Sequence, residues 1–197
     1  MANISTDLVK ELRNSTGLSI MQCKKALEEA DGDMAKAIVL LQKKGAGISA
    51  KKADRTFGAG TVAAYIHTSG TIGSILELKC ETDFVAKNEE FKSLAYSLAM
   101  HVAAANPVYL KMSDVPEGDK KTAEEAFMKE VEDKPVDMKA KILENKVNAY
   151  FKERVLLEQN YIKNPEQTIQ ALIEAFVQKF GERTEIGRFT RIGIGEK

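Results

Sequence analysis

The sequence predicts an α+β protein, in which a three-helix N-terminal bundle precedes a core of helices packed on a small antiparallel sheet. Apolar residues recur at helical spacing through the first 45 positions. The segments 61–66 and 72–81 have the composition or the alternation of short strands, and the second alternates as half-buried antiparallel strands do. Several helical segments and a last strand-like segment follow, an order that is typical of α+β proteins.

The predicted bundle is defined by its helix caps. Ser5 and Thr6 are both candidates to cap the first helix. Ser19 and Gln22 have the spacing of a capping box at the start of the second helix. The sequence Asp-Gly-Asp at 31–33 predicts the next turn, and the third helix is expected to end at Gly45. We therefore expect a small three-helix domain at residues 1–45.

A linker and a larger core domain are predicted to follow. Residues 46–60 are rich in Gly, Ala and Lys, which favours a linker, and residues 61–197 form the predicted core domain. Asn164 and Pro165 have the pattern of a helix start, and Gly181 is expected to end that last helix. The other predicted elements of the core are helices at 88–105, 119–132 and 136–157, and a final strand at 184–195.

The composition is that of an ordinary soluble protein with balanced charge. The 197 residues include 29 basic and 29 acidic side chains, so no basic excess favours nucleic acid as the main partner. The N-terminus lacks the apolar stretch of a secretory signal, and no apolar run approaches the roughly 20 residues that span a bilayer. Cys23 and Cys80 lie far apart, which favours a reducing, cytoplasmic setting over a disulfide scaffold.

The motifs of common enzymes are missing from the sequence. It has no phosphate-binding loop, no dinucleotide-binding glycine motif, no nucleophile elbow and no zinc-protease motif. Zinc needs about four clustered ligands, so His67 and His101 are expected to be structural or surface residues, and no metal or cofactor is predicted. Cys80 alternates with apolar residues and is expected to face inward, which disfavours a reactive thiol, and the same holds for Cys23.

Basic side chains gather around the predicted linker. This patch could contact RNA or an acidic protein surface. The neutral net charge favours a solvated hinge instead. The residues of the patch are Lys43, Lys44, Lys51, Lys52 and Arg55.

One short stretch places a large apolar ring at a corner. The sequence CETDFVAKNEEF at 80–91 leaves the second predicted strand and enters the long predicted helix. Phe84 stands where a turn residue would be expected. It either folds back beneath the helix, with Asp83 or Thr82 capping the turn, or contacts another molecule. The residues alone favour the first alternative.

That stretch resembles a signature of the bacterial elongation factor Ts family. The segment LVKELRNSTGLSIMQCKKALEEADGDMAKAI at 8–38 is similar to the family's other signature, in its ubiquitin-associated-like three-helix domain. AMHVAAANPVYL, KILENKVNAYFKERVLLEQNYIKNP and RFTRIGIGE are further similar segments, so the resemblance covers nearly the whole chain. The family often has an acid at the position of Gln22 and a glycine near Ser19. Longer members duplicate the core, whereas this chain holds one copy, which implies a homodimer.

The resemblance implies a translation elongation factor that promotes GDP release from elongation factor Tu and catalyses no covalent chemistry. It implies that Thr82, Asp83, Phe84 and Val85 enter the partner near its Mg²⁺ and nucleotide site, so that GTP can rebind. It also implies that the N-terminal domain grips the partner, without direct contact to nucleic acid or a membrane. The contacts implied there are Ile20, Met21 and Lys24, with Lys51 and Lys52 in addition.

Two other function classes remain open on the sequence. The first is a helical interaction module that binds a partner without accelerating nucleotide release. The second is a thiol enzyme built on Cys80. An assay of GDP release separates the first class from an exchange factor, and a Cys80→Ser substitution tests the second.

Overall fold

The N-terminal helices begin at their predicted caps. A computed structural model describes residues 4–131 and 135–196. Ser5 Oγ accepts a hydrogen bond from the Leu8 N–H at 3.2 Å, and Ser19 and Gln22 form the predicted capping box. The three helices are α1 (Thr6–Thr16), α2 (Ile20–Glu29) and α3 (Met34–Lys51). Their buried faces form one apolar cluster of Val9, Leu12, Leu18, Cys23, Ala26, Leu27, Ala30, Ala37 and Leu41.

The remaining elements confirm the α+β class. The strands are β1 (Ala59–Ile66), β2 (Ile72–Cys80), β3 (Asn160–Tyr161), β4 (Asn164–Thr168) and β5 (Thr184–Gly193). The helices are α4 (Asp83–Ala86), α5 (Glu89–Ala105), α6 (Glu117–Glu130), α7 (Val136–Lys152) and α8 (Ile169–Phe180). The main sheet has the order β1-β2-β5, and β3 pairs with β4 in a second, two-stranded sheet.

The first two strands form an antiparallel hairpin. The Gly58 N–H donates to the Glu81 carbonyl at 3.2 Å, and the His67 N–H donates to the Ile72 carbonyl at 2.8 Å. Residue numbers that rise on one strand therefore fall on the other, as antiparallel pairing requires. Along β2, Leu76, Leu78 and Cys80 are buried while the residues between them are more exposed, which confirms the alternation predicted for this strand.

The predicted end of the third helix at Gly45 is wrong. Helix α3 continues to Lys51 and takes up the first residues of the predicted linker. The reason is a close approach to α8: a side-chain carbon added at Gly45 would lie 3.2 Å from Gln178 Oε1 and 3.4 Å from the Glu174 carbonyl oxygen. Glycine thus serves helix packing here rather than helix termination.

The predicted helix start at Asn164 and Pro165 is also wrong. These residues lie in β4, where Asn164 pairs with Tyr161 and Thr168 pairs with Asn160 across an antiparallel, irregular register. Helix α8 begins five positions later, at Ile169. The strand pairing satisfies the backbone of this segment, and it overrides a capping pattern that is only locally favourable. The predicted end of the helix at Gly181 is confirmed, since Gly181 has φ +73° and donates to the Val177 carbonyl.

The chain divides into two units. The first comprises Met1–Ala63, Leu76–Ser97 and Gln170–Gly187, and the second comprises Ala64–Ile75, Leu98–Ile169 and Arg188–Lys197. In the first unit, the Phe91 and Phe176 rings pack with their centroids 5.6 Å apart. In the second unit, an apolar cluster is formed by Val115, Ala123, Val147, Phe151 and Val155. The predicted division into domains at 1–45 and 61–197 stays a prediction.

Candidate functional site

The corner between β2 and α5 is a single helical turn. Thr82, Asp83, Phe84 and Val85, called here the corner segment, follow the end of β2 at Cys80. Thr82 is extended, with φ −127° and ψ 157°, and it is followed by the four residues of α4. A turn this short is not stable as an isolated helix, because helix formation carries a large nucleation cost. Contacts on either side of the turn must therefore hold it.

Two neighbouring residues of this turn differ in exposure, one facing the core and the other facing solvent. Val85 is 2% exposed and lies in the core, whereas Phe84 is 78% exposed. Successive residues of an α-helix are rotated by about 100°, so burying Val85 directs Phe84 toward solvent. The expectation from the residues alone, that Phe84 packs beneath the long helix, is wrong. Val85 occupies the inward position instead, and it is an anchor rather than an exposed contact.

An ion pair lies beside the exposed ring. Lys87 Nζ is 2.6 Å from Asp83 Oδ2, and both side chains are largely exposed. The hydrogen bond from Lys87 and its charge lower the pKa of Asp83. The outer surface of the turn thus presents an apolar ring next to an ionised carboxylate that is already paired within the turn.

The carboxylates of Glu182 and Glu81 join the residues before the turn to the segment that follows α8. Glu182 Oε2 accepts from the Thr82 N–H at 3.0 Å, and Glu182 Oε1 accepts from the Thr82 hydroxyl at 2.5 Å. In the opposite sense, Glu81 Oε1 accepts from the Arg183 N–H at 2.5 Å. Arg55 Nη1 adds an ion pair with Glu81 at 2.9 Å. Glu182 and Arg183 were not predicted as site residues, because about 100 positions separate them from their partners and no local pattern marks them.

Glu81 is ionised in this arrangement. Burial opposes the charge of Glu81, but the hydrogen bond from the Arg183 N–H and the bond and charge of Arg55 outweigh it and lower the pKa of Glu81. Arg183 itself stacks on Phe57, with its guanidinium carbon 4.3 Å from the ring centroid, and it also donates to the Arg55 carbonyl. The two arginines therefore link the end of β2 with the chain on either side.

The Cys80 thiol is unsuited to nucleophilic chemistry. It is fully buried and donates to the Thr82 carbonyl at 3.2 Å. Burial, together with the charge of Glu182, raises the pKa of Cys80 to about 11. Because the thiolate is the reactive form of cysteine, Cys80 is a packing and hydrogen-bonding residue. Cys23 is also fully buried. Both positions confirm the inward orientation predicted from the sequence.

The predicted N-terminal contact residues lie on the first turns of α2. Ile20 is 58% exposed and Met21 is 76% exposed, although the same helix buries Cys23 and its neighbours in the bundle core. Lys24 is exposed and lies 3.8 Å from Glu28 in a helical ion pair. The surface of α2 therefore combines two adjacent apolar side chains with a nearby cation.

The basic patch is partly neutralised by internal contacts. Lys44 pairs with Glu29 at 2.8 Å, and Arg55 pairs with Glu81. Lys52 Nζ donates to the Gly181 carbonyl at 2.5 Å, at the end of α8. Lys51 is exposed in the last turn of α3. The patch is thus a set of cations that mostly brace their own fold.

The two histidines are structural or surface residues, as expected. His67 is exposed, with Nδ1 3.2 Å from the Tyr65 hydroxyl. His101 is fully buried. Its Nδ1 accepts from the Ile162 N–H at 3.3 Å, so its Nε2 carries the proton and donates to Gln159 Oε1 at 2.9 Å. Burial lowers the pKa of His101, and the hydrogen bond with Gln159 opposes this only in part.

Within residues 4–131 and 135–196, no three His, Cys, Asp or Glu side chains are grouped so that they could hold a metal ion. In the same described part of the chain, none of the helices has both the length and the apolar composition that a membrane crossing needs.

Comparison with known proteins identifies the family. Residues 3–196 match the profile described as elongation factor TS. The chain is 48% identical over 193 residues to elongation factor Ts of Thermotoga petrophila, covering 98% of this chain and 97% of that protein. It is 47% identical over 195 residues to elongation factor Ts of Carboxydothermus hydrogenoformans, covering 98% and 90%. It is 44% identical over 195 residues to elongation factor Ts of Thermosipho melanesiensis, covering 98% and 100%. These matches extend over both signature segments and the corner segment, and the chain belongs to the elongation factor Ts family of translation elongation factors.

Proposed function

We propose that this chain promotes GDP release from elongation factor Tu by inserting the corner segment near the partner's Mg²⁺ and nucleotide site. The observation that carries the proposal is the exposure of the Phe84 ring, 78%, on a turn whose start is held by Glu182 and whose Val85 is buried. An aromatic ring has a large apolar area and few rotatable bonds, so it loses little entropy when another protein buries it. GTP rebinds after GDP has left.

The proposed release of GDP depends on differential binding. A GTPase holds GDP through phosphate contacts and a bridging Mg²⁺, and an exchange factor must bind the nucleotide-free form more tightly than the GDP form. The coupling is reciprocal, so the factor weakens GDP binding by the ratio by which GDP weakens factor binding. No covalent bond is made or broken, and the chain needs no metal or cofactor of its own. Such a factor acts in the cytoplasm, without direct contact to nucleic acid or a membrane.

Within the corner segment the residues have different tasks. Phe84 displaces packing near the metal site, and Asp83 perturbs polar groups there or positions the segment. Thr82 is fixed by Glu182, and Val85 secures the turn from inside, since it is 2% exposed. The segment therefore contacts the partner through its two outward residues.

The N-terminal helices provide the second contact. Ile20 and Met21 are exposed beside each other on α2, and Lys24 lies one turn further along the same helix. These residues grip the G domain of the partner. Lys51 and Lys52 add positive charge at the end of α3, where Lys51 has a more exposed side chain than Lys52, which is engaged with Gly181.

The chain acts as a homodimer through the outer face of the main sheet. Ile66, Ile75, Ile192 and Ile194 are between 48% and 76% exposed, and they line an open apolar groove of about 330 Å³. Two copies related by a twofold axis would cover each other's apolar face, as self-complementary interfaces do. Ile192→Lys is expected to give monomers in sedimentation measurements, and a wild-type chain that stays monomeric at micromolar concentration would contradict the dimer.

A nucleotide-release assay tests the exchange function. Elongation factor Tu loaded with fluorescent GDP is mixed with this chain and an excess of unlabelled GDP, and loss of fluorescence gives the release rate. We expect release to accelerate with factor concentration until it saturates. Binding without acceleration would instead favour a plain interaction module, for which the exposed Ile20 and Met21 are the supporting observation. That outcome would refute the exchange function.

A further inference from the structure

Thr82 has the position of a helix-capping residue, yet its side chain does not cap the helix. It immediately precedes α4, but its hydroxyl makes no hydrogen bond to the first turn of that helix. A threonine at this position ordinarily accepts a bond from the second or third backbone N–H of the helix. Here the hydroxyl donates to Glu182 instead. Departures from a local rule of this kind are expected at functional or strained sites.

We propose that Glu182 is a positioning residue for nucleotide exchange, which holds Thr82 so that α4 presents Phe84 in one orientation. The inference rests on the proposed exchange function. One carboxylate fixes both the N–H and the hydroxyl of Thr82, at 3.0 and 2.5 Å. Because both bonds join Thr82 to the same carboxylate, they fix the orientation of Thr82 as well as its distance from Glu182. The side chain of Glu182 thereby sets where the turn begins.

Glu182 is itself held in place from both sides. Gly181 before it adopts φ +73°, and its carbonyl accepts from Lys52 Nζ at 2.5 Å. Arg183 after it donates its N–H to Glu81 at 2.5 Å and stacks on Phe57. The segments 81–82 and 182–183 are therefore joined by reciprocal hydrogen bonds. Glu81 accepts one from the Arg183 N–H, and Glu182 accepts one from the Thr82 N–H.

This arrangement matters because the turn has little stability of its own. Helix α4 is four residues long, and its inward contact is Val85. Without the bonds to Glu182, the turn keeps that anchor but its start becomes free to move. If only a fraction of the molecules then present the ring correctly, apparent affinity falls by that fraction. A competent fraction of one tenth would thus weaken apparent affinity about tenfold.

Two substitutions at Glu182 separate positioning from mere size or charge. Glu182→Ala removes both bonds. Glu182→Gln restores them, because the amide oxygen accepts from the Thr82 N–H and the amide nitrogen donates to the Thr82 hydroxyl. We expect Glu182→Ala to raise the factor concentration that gives half-maximal GDP release by about tenfold. Glu182→Gln should stay close to wild type. The matched control is Lys179→Ala on nearby α8, which removes an ion pair with Glu90 of α5 and should have no effect.

A double substitution tests whether Glu182 acts through the ring. In a Phe84→Ala background, Glu182→Ala should cause no further loss, because coupled residues are not additive. Amide hydrogen exchange of the free chain gives a second readout, in which residues 83–86 should exchange faster in Glu182→Ala but not in Glu182→Gln. Should Glu182→Ala fail to fold, Thr82→Val removes the hydroxyl bond alone, and a smaller loss of the same kind is expected.

Three results would overturn the positioning role. They are wild-type release by Glu182→Ala, a loss that adds fully to that of Phe84→Ala, and unchanged amide exchange at 83–86. Failure of the exchange function is distinguishable from these, because the wild-type chain would then not accelerate GDP release at all. The amide-exchange measurement needs no partner and still decides whether Glu182 holds the turn.

Discussion

Replacing Phe84 by alanine should slow GDP release from elongation factor Tu while leaving the fold intact. The side chain is 78% exposed in the free chain, so about a fifth of it contributes packing there. Since truncating a fully buried phenylalanine costs about 3–5 kcal/mol, the free energy of unfolding should fall by less than about 1 kcal/mol. Full burial of such a side chain contributes about 1.5–3 kcal/mol, and about four-fifths of that is available to the partner.

The expected loss is therefore about 1.2–2.4 kcal/mol, or roughly 7- to 50-fold in the efficiency of release. It is measured with fluorescent GDP as the ratio of initial slopes against factor concentration. Phe91 is the matched control, because it lies seven residues further along and is fully buried. Phe91→Ala should lower the free energy of unfolding by about 3–5 kcal/mol, read from urea denaturation.

Two outcomes would refute this reasoning. If Phe84→Ala destabilises the chain as much as Phe91→Ala does, the ring is a core residue in solution. If Phe84→Ala folds normally and releases GDP at the wild-type rate, the ring does not act on the partner. A loss of release efficiency, with a free energy of unfolding that falls by less than about 1 kcal/mol, is the result that the exposed position of Phe84 predicts.

Four further substitutions test the fold and the thiol. Gly47→Ala should stabilise the chain by about 0.5–1 kcal/mol in urea denaturation, since a side chain there meets nothing within 4 Å, whereas Gly45→Leu should destabilise it against α8. Burial lowers the pKa of His101, so the stability that the neutral imidazole provides is present above pH about 6.5 and is lost below it, by up to about 1.4 kcal/mol per pH unit. His101→Asn should therefore reduce the change of the urea midpoint between pH 7.5 and 5.5. The same change of midpoint with pH in the wild type and the variant would contradict this. Cys80→Ser keeps a donor toward the Thr82 carbonyl and should leave GDP release unchanged, whereas complete loss would favour a thiol enzyme.

Local patterns predicted those elements whose determinants lie within a few residues of each other. The capping box of Ser19 and Gln22 satisfies the helix start through side chains three positions apart, and it forms as predicted. The alternation along β2 likewise depends on which face of one strand is buried, and Leu76 and Leu78 are in the core. In both cases the sequence contains both partners of the interaction, so no knowledge of distant segments is needed.

Two of the three failures occurred where other elements of the fold decide. Gly45 has the appearance of a helix end, but α8 packs so closely there that glycine is the residue that fits within a continuing helix. Asn164 has the appearance of a cap, but pairing with Tyr161 makes it part of a strand. The failure at Phe84 is local instead: large apolar residues usually are buried, which favours Phe84 for the core, whereas its neighbour Val85 fills the inward position of that turn.

The two hydrogen bonds between Thr82 and Glu182 affect how well an exchange factor discriminates between the nucleotide-free and GDP-bound forms of its partner. If Phe84 contacts the partner only when nucleotide is absent, the entropy lost in ordering the corner segment weakens only the complex with nucleotide-free elongation factor Tu. The hydrogen bonds that Thr82 donates to Glu182 order the segment beforehand, and they then strengthen the nucleotide-free complex without strengthening the GDP complex. By reciprocity the whole of that gain becomes weaker GDP binding. It follows that Glu182→Ala should reduce affinity for nucleotide-free elongation factor Tu more than affinity for the GDP-bound form. Equal losses for the two forms would mean that the segment is already engaged before GDP leaves.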